Sequence, residues 1–374
     1  MKQQRIIRLR AGGLTFFASA LSAALAIAMV ISTVAQACTG VVLHTENGAT
    51  VVGRTMEFGF DIKSQIAIFP AGERFTTLAL NDEYDGFDYN STYGFAGATG
   101  LGLPIIVEGV NDQGLYFGAF YFKGVAEYET LSAKNQGNAI SSEEMGNWIL
   151  ANFETVDAVR AALSTVTVVG TSIADLGGEP APLHYAVTDA SGQSIVVEYT
   201  SEGLRVFKNT VNAITNNPPF DWMLTNLRNY IGLTEVNRGA ITVGDQRLEP
   251  FGQGTGMFGL PGDYSSPSRF VRAVALANTV LPAADAQSGV ESTFHIMSNF
   301  DIPKGAIRDE DRASQLFDYT QWIMVTDTQN KVLYWKAHDT QRIETLDVRE
   351  ALKSASQATF LPIESGFQAV NRTP

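Results

Sequence analysis

Cysteine and histidine are scarce in this chain. Among 374 residues, Cys38 is the only cysteine, and the four histidines are His44, His184, His295 and His338. One cysteine excludes an intramolecular disulfide, and the histidines have neither zinc-ligand spacing nor a His-Glu-x-x-His motif. A Gly-x-Ser-x-Gly nucleophile elbow is also absent. We therefore interpret the histidines as structural and Cys38 as the sole candidate nucleophile.

Basic residues are outnumbered by acidic ones. The chain has 26 Lys and Arg against 39 Asp and Glu, with a formal net charge of −13. This balance disfavours nucleic acids and anionic membranes as partners, and we expect neither. Since no repeat and no proline-rich or serine-rich linker divides the chain, we expect a single domain over residues 38–374.

Acidic residues are missing from residues 1–37, where four basic residues precede an uncharged apolar run. Ala35 and Ala37 fit the small-x-small site of signal peptidase. The sequence therefore predicts a signal peptide at residues 1–37 that is cut directly before Cys38. We expect an exported protein, periplasmic or secreted, without stable membrane insertion after processing.

Two other interpretations of this segment stay open. The apolar run approaches the length of an uncleaved transmembrane helix. Bacterial lipoprotein signals also end before a cysteine, but they favour leucine and a small residue where Ala35 and Gln36 stand. The rival from another functional class is therefore a lipid-anchored envelope binding protein that uses Cys38 only as its anchor.

Cleavage before Cys38 would leave a thiol and a free α-amino group on one residue. The reference pKa of such an amine is about 7.7–8.0 and that of a thiol is about 8.5. Near neutral pH, a base then adjoins a nucleophile. This pairing is typical of N-terminal-nucleophile hydrolases, in which the amine replaces the histidine of a triad.

The pattern along the chain favours hairpins over βαβ units. Asn47-Gly48 is a strong hairpin signal, and helices are expected between blocks of strands. The hairpins predict mainly antiparallel sheets, and the grouped helices predict layers. The expected strand pairs are 38–45 with 50–55, 104–109 with 115–122, 185–188 with 194–199, and 317–326 with 332–337; the expected helices are 143–153, opened by a capping box from Ser141 to Glu144, 156–163, 220–231, 268–277 and 290–298.

Four polar residues are candidates for chemistry beside the thiol. Arg54 and Glu57 lie on the strand that returns alongside Cys38, where an arginine favours thiolate and a carboxylate holds the amine. A plain ion pair at the strand end is the alternative. Asn216 is interpreted as a helix cap or as an oxyanion donor. Arg269, at a predicted helix start, opposes the helix dipole, which indicates a paired or functional role.

Two motifs suggest ligands but lack the right context. The acidic loop at Asp82–Tyr89 does not have the spacing of a calcium loop. Gly254-x-Gly256-x-x-Gly259 matches the dinucleotide fingerprint, but Leu260-Pro261-Gly262 follows where a helix should open. We predict neither metal nor cofactor.

In combination, several segments resemble the choloylglycine hydrolase family, which contains conjugated bile acid hydrolases and penicillin V acylases. This resemblance implies an α+β fold, a four-layer αββα sandwich, and hydrolysis of a linear, non-peptide amide without metal or cofactor. The segments that carry it are Cys38-Thr39-Gly40, Gly53-Arg54-Thr55-Met56-Glu57-Phe58, Val110-Asn111-Asp112-Gln113-Gly114-Leu115, Leu183-His184-Tyr185, Ile214-Thr215-Asn216-Asn217-Pro218, Pro250-Phe251-Gly252-Gln253-Gly254, Leu260-Pro261-Gly262-Asp263 and Ser268-Arg269-Phe270.

The resemblance also implies roles for single residues. Cys38 is similar to the family's nucleophile, and its amine to the acid and base. Asn216 is similar to the side-chain oxyanion donor, and the backbone N–H of Tyr121 to the second donor. Arg54 and Arg269 correspond to the charged setting of the site. An acyl pocket is expected at Met56, Phe58, Phe60 and Tyr121.

Two positions depart from the family pattern. The family usually has aspartate where Glu57 stands, which lengthens the arm expected to hold the amine. At Tyr121, bile acid hydrolases tend to have asparagine and penicillin V acylases tyrosine. The sequence therefore favours a penicillin V-type small-molecule amide, with conjugated bile acids and N-acyl homoserine lactones as alternatives. The family often forms tetramers, which implies a homotetramer.

Overall fold

Two antiparallel β-sheets face each other, and helices cover the outer side of each. The computed structural model describes residues 37–75, 77, 86–308 and 316–372. The predicted signal peptide, except for Ala37, and the first half of the loop at Asp82–Tyr89 lie outside these ranges. Within them, no helix is both long and apolar enough to cross a membrane.

The described residues form twenty strands. They are β1 (Cys38–His44), β2 (Thr50–Phe58), β3 (Gln65–Phe69), β4 (Arg74–Phe75), β5 (Tyr89–Asn90), β6 (Phe95–Gly100), β7 (Leu103–Asn111), β8 (Tyr116–Tyr121), β9 (Ala139–Ser141), β10 (Thr167–Val169), β11 (Leu183–Thr188), β12 (Ser194–Thr200), β13 (Gly203–Lys208), β14 (Ala213–Ile214), β15 (Ile241–Val243), β16 (Gln246–Leu248), β17 (Tyr319–Asp327), β18 (Val332–Ala337), β19 (Glu344–Asp347) and β20 (Thr359–Pro362).

Six α-helices accompany these strands in the described ranges. They are α1 (Met145–Asn152), α2 (Val156–Ala162), α3 (Phe220–Asn226), α4 (Ser266–Thr279), α5 (Ala286–Met297) and α6 (Val348–Ser354).

One large sheet has six strands in the order β14-β1-β2-β17-β18-β19, and the other has eight in the order β13-β12-β11-β8-β7-β6-β3-β20. Neighbouring strands in both sheets run antiparallel. Helices α4 and α5 pack on the six-stranded sheet, and α1 packs on β7 and β8 of the eight-stranded sheet. The predicted αββα sandwich and its antiparallel sheets are confirmed.

Two glycines show how closely the layers approach the first hairpin. On β1, a Cβ at Gly40 would lie 2.8 Å from Phe120 Cζ of the eight-stranded sheet. On β2, a Cβ at Gly53 would lie 2.9 Å from Met297 Cγ of α5. The six-stranded sheet is therefore tightly covered on both faces, and a side chain at either glycine would push two layers apart.

Strand β2 is buried along all nine residues because it lies between these layers. Successive side chains of a strand point to opposite faces. Arg54, Met56 and Phe58 therefore face the eight-stranded sheet, whereas Thr55 and Glu57 face the helices. This alternation assigns the charged residues of β2 to different sides of the sheet.

Two local predictions need correction. Helix α1 begins at Met145 after a 3-10 turn, and Ser141 makes no capping bond to the backbone, so the predicted capping box is wrong. Its hydroxyl instead donates to Glu144 Oε2 at 3.3 Å. Strand β6 was not expected because its residues, Phe-Ala-Gly-Ala-Thr-Gly, have low strand propensity; tertiary packing of Gly97 against the β7 backbone decides its conformation.

Candidate active site

Cys38 is the first residue of β1 and is only 2 % exposed. It pairs with Met56 on β2, so its side chain shares the face that looks towards the eight-stranded sheet. The Cys38 N–H donates to Asn216 Oδ1 at 2.8 Å. Its sulfur accepts a hydrogen bond from Arg54 Nη2 at 3.5 Å. The first hairpin thus holds the thiol between the sheets, beside a cation.

Arg54 fills a gap between two strands of the opposite sheet. The pairing of β7 with β8 ends at Glu108 and Gly118, so Val107 and Ala119 would be the next pair. Arg54 enters there, and its Nη1 and Nη2 donate to the carbonyl oxygens of Val107 and Ala119. The guanidinium therefore takes the place of the missing ladder bonds and is held in one orientation.

The charge on Arg54 has a buried partner. Nη1 lies 3.4 Å from Glu108 Oε2, which also accepts a hydrogen bond from Tyr116 at 2.7 Å. Burial alone would lower the pKa of Arg54, but Cys38 and Glu108 raise it overall. Burial raises the pKa of Glu108 to about 7, against the opposing effects of Arg54 and Tyr116. Arg54 stays cationic beside the thiol.

The alternative of an ion pair between Arg54 and Glu57 is wrong, because the two side chains leave opposite faces of β2. Glu57 accepts hydrogen bonds from Thr320 Oγ1 at 2.7 Å and from Thr55 Oγ1 at 3.0 Å. Burial raises the pKa of Glu57 to about 7, whereas Arg269 and the two threonines lower it. Its backbone N–H donates to the carbonyl oxygen of Ala37 at 3.1 Å, so it touches the residue before Cys38.

Asn216 lies between Cys38 and the eight-stranded sheet. Its interpretation as a helix cap is wrong, because Pro219 is the N-cap of α3. Its Oδ1 accepts from Cys38 N, and its Nδ2 donates to the carbonyl oxygen of Tyr121 at 2.8 Å. An amide NH₂ has two hydrogens, so the second is available for another acceptor. Asn216 therefore links the backbone of Cys38 to the backbone of Tyr121.

Arg269 joins this cluster from the first turn of α4. Its guanidinium donates to the carbonyl oxygen of Cys38, to Thr39 Oγ1 at 2.8 Å and to Asn216 Oδ1 at 2.7 Å. Burial lowers the pKa of Arg269, while Glu57 and Cys38 raise it. These bonds explain why a cation stands at a helix start, where the dipole disfavours it.

Tyr121 ends β8, opposite Leu183 of β11. The N–H of the next residue, Phe122, donates to the Pro182 carbonyl oxygen at 2.6 Å. Because backbone groups of successive strand residues point to opposite sides, the N–H and C=O of Tyr121 point away from β11. The Tyr121 backbone therefore faces the side on which Asn216 lies.

Cys38 lines a pocket that, together with the open solvent at its entrance, holds about 540 Å³ of empty space. Met56, Phe58 and Tyr121 line it as expected, whereas Phe60 does not. Phe60 instead packs edge-on against Phe58, with ring centroids 4.7 Å apart. The other lining residues are Cys38, Arg54, Ile62, Gly100, Leu101, Ile105, Val107, Ala119, Glu143, Leu176, Ala181 and Leu183.

Several site residues were not found from the sequence. Glu143 lines the pocket and accepts hydrogen bonds from Ala181 N and Thr171 Oγ1, each at 2.9 Å. Glu108, inside the apolar run Ile105–Val110, had a usable signal, because a lone carboxylate in a buried strand needs a partner. Thr320 had none. In the described part of the chain, no group of His, Cys, Asp or Glu side chains is arranged for a metal ion.

Comparison with known proteins agrees with this architecture. The chain is 29 % identical over 315 residues to the bile salt hydrolase/transferase of Clostridium perfringens, covering 84 % of this chain and 93 % of that protein. It is 24 % identical over 341 residues to the penicillin V acylase of Pectobacterium atrosepticum, covering 85 % and 83 %.

Solved structures give the same result. The chain superposes on a variant of the conjugated bile acid hydrolase from Clostridium perfringens with a TM-score of 0.80 and 26 % identity, over 90 % of this chain and all of that one. The penicillin V acylase from Agrobacterium tumefaciens shares the fold, with a TM-score of 0.70 and 23 % identity over 88 % and 95 %. The sequence model of the family described as linear amide C–N hydrolases, choloylglycine hydrolase family, matches residues 38–360. This chain is therefore a hydrolase of linear amides and belongs to the choloylglycine hydrolase family.

Proposed function

We propose that Cys38, freed as the N-terminal residue, is the nucleophile that cleaves the amide. One observation carries this proposal: the buried sulfur lies 3.5 Å from the Arg54 guanidinium, and both residues line the pocket. A nearby fixed cation favours thiolate, the reactive form of cysteine. Arg54 is itself held by two backbone carbonyl groups, so its position does not depend on substrate.

In the proposed reaction, the thiolate attacks the amide carbonyl carbon. The developing oxyanion accepts hydrogen bonds from the second hydrogen of Asn216 Nδ2 and from the Tyr121 N–H. The protonated α-amine of Cys38 gives its proton to the leaving nitrogen as the C–N bond breaks, which leaves a thioester. The amine then takes a proton from water, whose oxygen attacks the thioester and releases the carboxylic acid.

Arg269 and Glu57 complete the proposed site without touching the reacting carbonyl. Arg269 holds the Asn216 amide and the Cys38 carbonyl in register. Glu57 lies on the helix side of the sheet, where Arg269 lowers its pKa against the larger effect of burial. We propose that both residues position the amine and the oxyanion donors.

We infer that the acyl group is aromatic, as in penicillin V. Phe58 and Tyr121 lie edge-to-face at the pocket, with ring centroids 5.9 Å apart, and most of the pocket wall is apolar. Such a wall suits a phenoxyacetyl group. Conjugated bile acids are the second candidate, because the bile salt hydrolase of Clostridium perfringens is more similar in sequence than the penicillin V acylase of Pectobacterium atrosepticum.

Initial rates with penicillin V, glycocholate and an N-acyl homoserine lactone test both parts of this proposal. We expect penicillin V to have the largest kcat/KM and Cys38→Ser to abolish each hydrolysis. A larger value for glycocholate would overturn the aromatic preference and leave the nucleophile intact. Hydrolysis by Cys38→Ser at the parental rate would remove Cys38 from the reaction.

We also propose that export removes residues 1–37 and leaves a free Cys38. The direction of the sulfur, into the pocket and towards Arg54, opposes the lipid-anchor alternative, because a thioether-linked lipid has to reach the membrane. Intact mass and N-terminal sequencing of exported protein test this. A chain that starts with unmodified Cys38 is expected; an acylated Cys38 would favour the anchored binding protein, and a retained leader would remove the amine.

We further propose that the chain forms a homotetramer through the segment 231–258. This segment exposes large apolar side chains on and around the β15–β16 hairpin, namely Ile231, Val236, Ile241, Val243, Leu248, Phe251 and Phe258. Exposed apolar clusters of this kind mark interfaces. Light scattering of the purified protein is expected to give four times the chain mass, and the double variant Ile241→Asp, Phe251→Asp is expected to dissociate. A monomeric parent would contradict the proposal.

A further inference from the structure

We propose that His184, which carries no role in the reaction above, is the positioning residue that holds the two oxyanion donors at their working separation. The proposal rests on the function proposed for Asn216 and Tyr121. It arises from one side chain that contacts the chain neighbours of both donors. His184 is on β11 and is 2 % exposed.

The first contact fixes the Asn216 side of the site. His184 Nε2 lies 2.9 Å from the carbonyl oxygen of Thr215, the residue directly before Asn216. A carbonyl oxygen only accepts hydrogen bonds, so Nε2 carries the hydrogen in this contact. The bond spans 31 residues of sequence and joins the eight-stranded sheet to the loop that follows β14.

The second contact fixes the Tyr121 side. The imidazole stacks on Phe122, the residue directly after Tyr121, with centroids 4.1 Å apart and planes within 1° of parallel. Phe122 is fully buried, so the stacked pair has little freedom to move. One ring thus sets the positions of Thr215 and Phe122, and through them the distance between the two donors.

A third contact keeps the imidazole in this orientation. His184 Nδ1 lies 3.3 Å from Glu198 Oε1, which also accepts a hydrogen bond from Phe220 N at 2.9 Å. The carboxyl group therefore ties the histidine to the first residue of α3. Nδ1 faces Glu198 while Nε2 donates to Thr215, so rotation of the ring would break both contacts.

Three substitutions separate the two contacts. His184→Ala removes both, His184→Gln keeps an N–H donor for Thr215 without the stacked ring, and His184→Phe keeps the ring without the donor. His295→Gln, at an exposed histidine on α5, is the matched control. For each protein we would measure kcat and KM with the best amide substrate, together with the rate of Cys38 alkylation by iodoacetamide.

Alkylation needs the thiolate but no oxyanion donors, so it reports the nucleophile alone. Misplaced donors can cost about 100-fold in rate. We expect His184→Ala to lower kcat by about 10- to 100-fold, with KM and the alkylation rate within about threefold of the parent. His184→Gln and His184→Phe are expected to fall between the parent and His184→Ala, and His295→Gln to match the parent.

Other outcomes would overturn the proposal. If kcat of His184→Ala, calculated per protein molecule with an alkylatable Cys38, equals that of the parent, His184 is a purely structural residue. This holds even if the variant has a lower melting temperature. Equal losses of kcat and alkylation would place its effect on the thiol. If His184→Ala does not fold, the same comparison with the Gln and Phe variants decides. A separate measurement tests the proposed function: if parent protein with fully alkylated Cys38 still hydrolyses the amide, Cys38 is not the nucleophile.

Discussion

Arg54 donates a hydrogen bond to the sulfur of Cys38 while its other contacts anchor it to the eight-stranded sheet. Both side chains are buried, at 1 % and 2 % exposed. The cation that faces the thiol is therefore part of the packing between the two sheets. The chemistry proposed for Cys38 and the packing of the two sheets therefore depend on the same side chain.

Arg54→Lys is expected to slow both hydrolysis and alkylation. A lysine keeps the charge but cannot bridge the Val107 and Ala119 carbonyl groups as a planar fork does. We expect kcat/KM and the iodoacetamide rate at pH 7 to fall together, by about tenfold or more, because less thiolate is present. Arg247→Lys, at an exposed arginine, is the control. Loss of hydrolysis with normal alkylation would contradict the assigned role.

Asn216→Ala is expected to lower kcat by about 10²–10³, the usual cost of one oxyanion donor. Because the nucleophile remains, alkylation of Cys38 should change far less than hydrolysis. Asn229→Ala, at an exposed asparagine beyond α3, is the matched control. A normal kcat in Asn216→Ala would show that its contacts with Cys38 and Tyr121 serve folding alone.

Phe58→Ala and Phe60→Ala form a matched pair for the acyl pocket. Phe58 lines the pocket, whereas Phe60 only packs against Phe58. We expect Phe58→Ala to raise KM for penicillin V by about tenfold, since one aromatic contact and its buried area are lost, and Phe60→Ala to raise it less. Equal effects of the two variants, measured by initial rates, would place the acyl group elsewhere.

The pKa of Glu57 predicts how stability depends on pH. In the folded chain this pKa is about 7, against an unperturbed value of 4.5, so the folded state holds the proton over a range in which the unfolded state releases it. The stabilisation is complete below about pH 4.5 and is lost as the pH rises through 7. The shift corresponds to about 3 kcal/mol.

Glu57→Gln should remove this contribution. Urea unfolding at pH 5 and pH 7.5 is expected to show a smaller loss of unfolding free energy in the variant than in the parent. Glu350→Gln, at an exposed carboxylate of α6, is the control: between pH 5 and pH 7.5 its unfolding free energy should fall by as much as that of the parent. If the unfolding free energy falls by the same amount in Glu57→Gln and in the parent, Glu57 is ionised at both pH values and the prediction is wrong.

Local sequence rules predicted the scaffold of the site well. The Asn47-Gly48 signal predicted the first hairpin, and strand alternation brings Arg54, Met56 and Phe58 to one face. The register did not follow from that signal: a two-residue Asn47-Gly48 loop would pair Cys38 with Glu57, whereas the structure pairs Cys38 with Met56. The same rules failed for Phe60, which lies beyond the end of β2, where alternation no longer applies. They also failed for β6, because its glycines lower its strand propensity, and Gly97 is required there by the close approach of the β7 backbone.

By itself, the sequence singled out Cys38 as the candidate nucleophile, because it is the only cysteine. The two-residue period of a strand also determined which faces of the first hairpin carry polar groups. Only the tertiary structure decided the partners: Asn216 reaches Cys38 across 178 residues, and Glu108 reaches Arg54 across 54. Such contacts depend on how whole layers stack, since burial forces each charged group to find a partner wherever packing brings one.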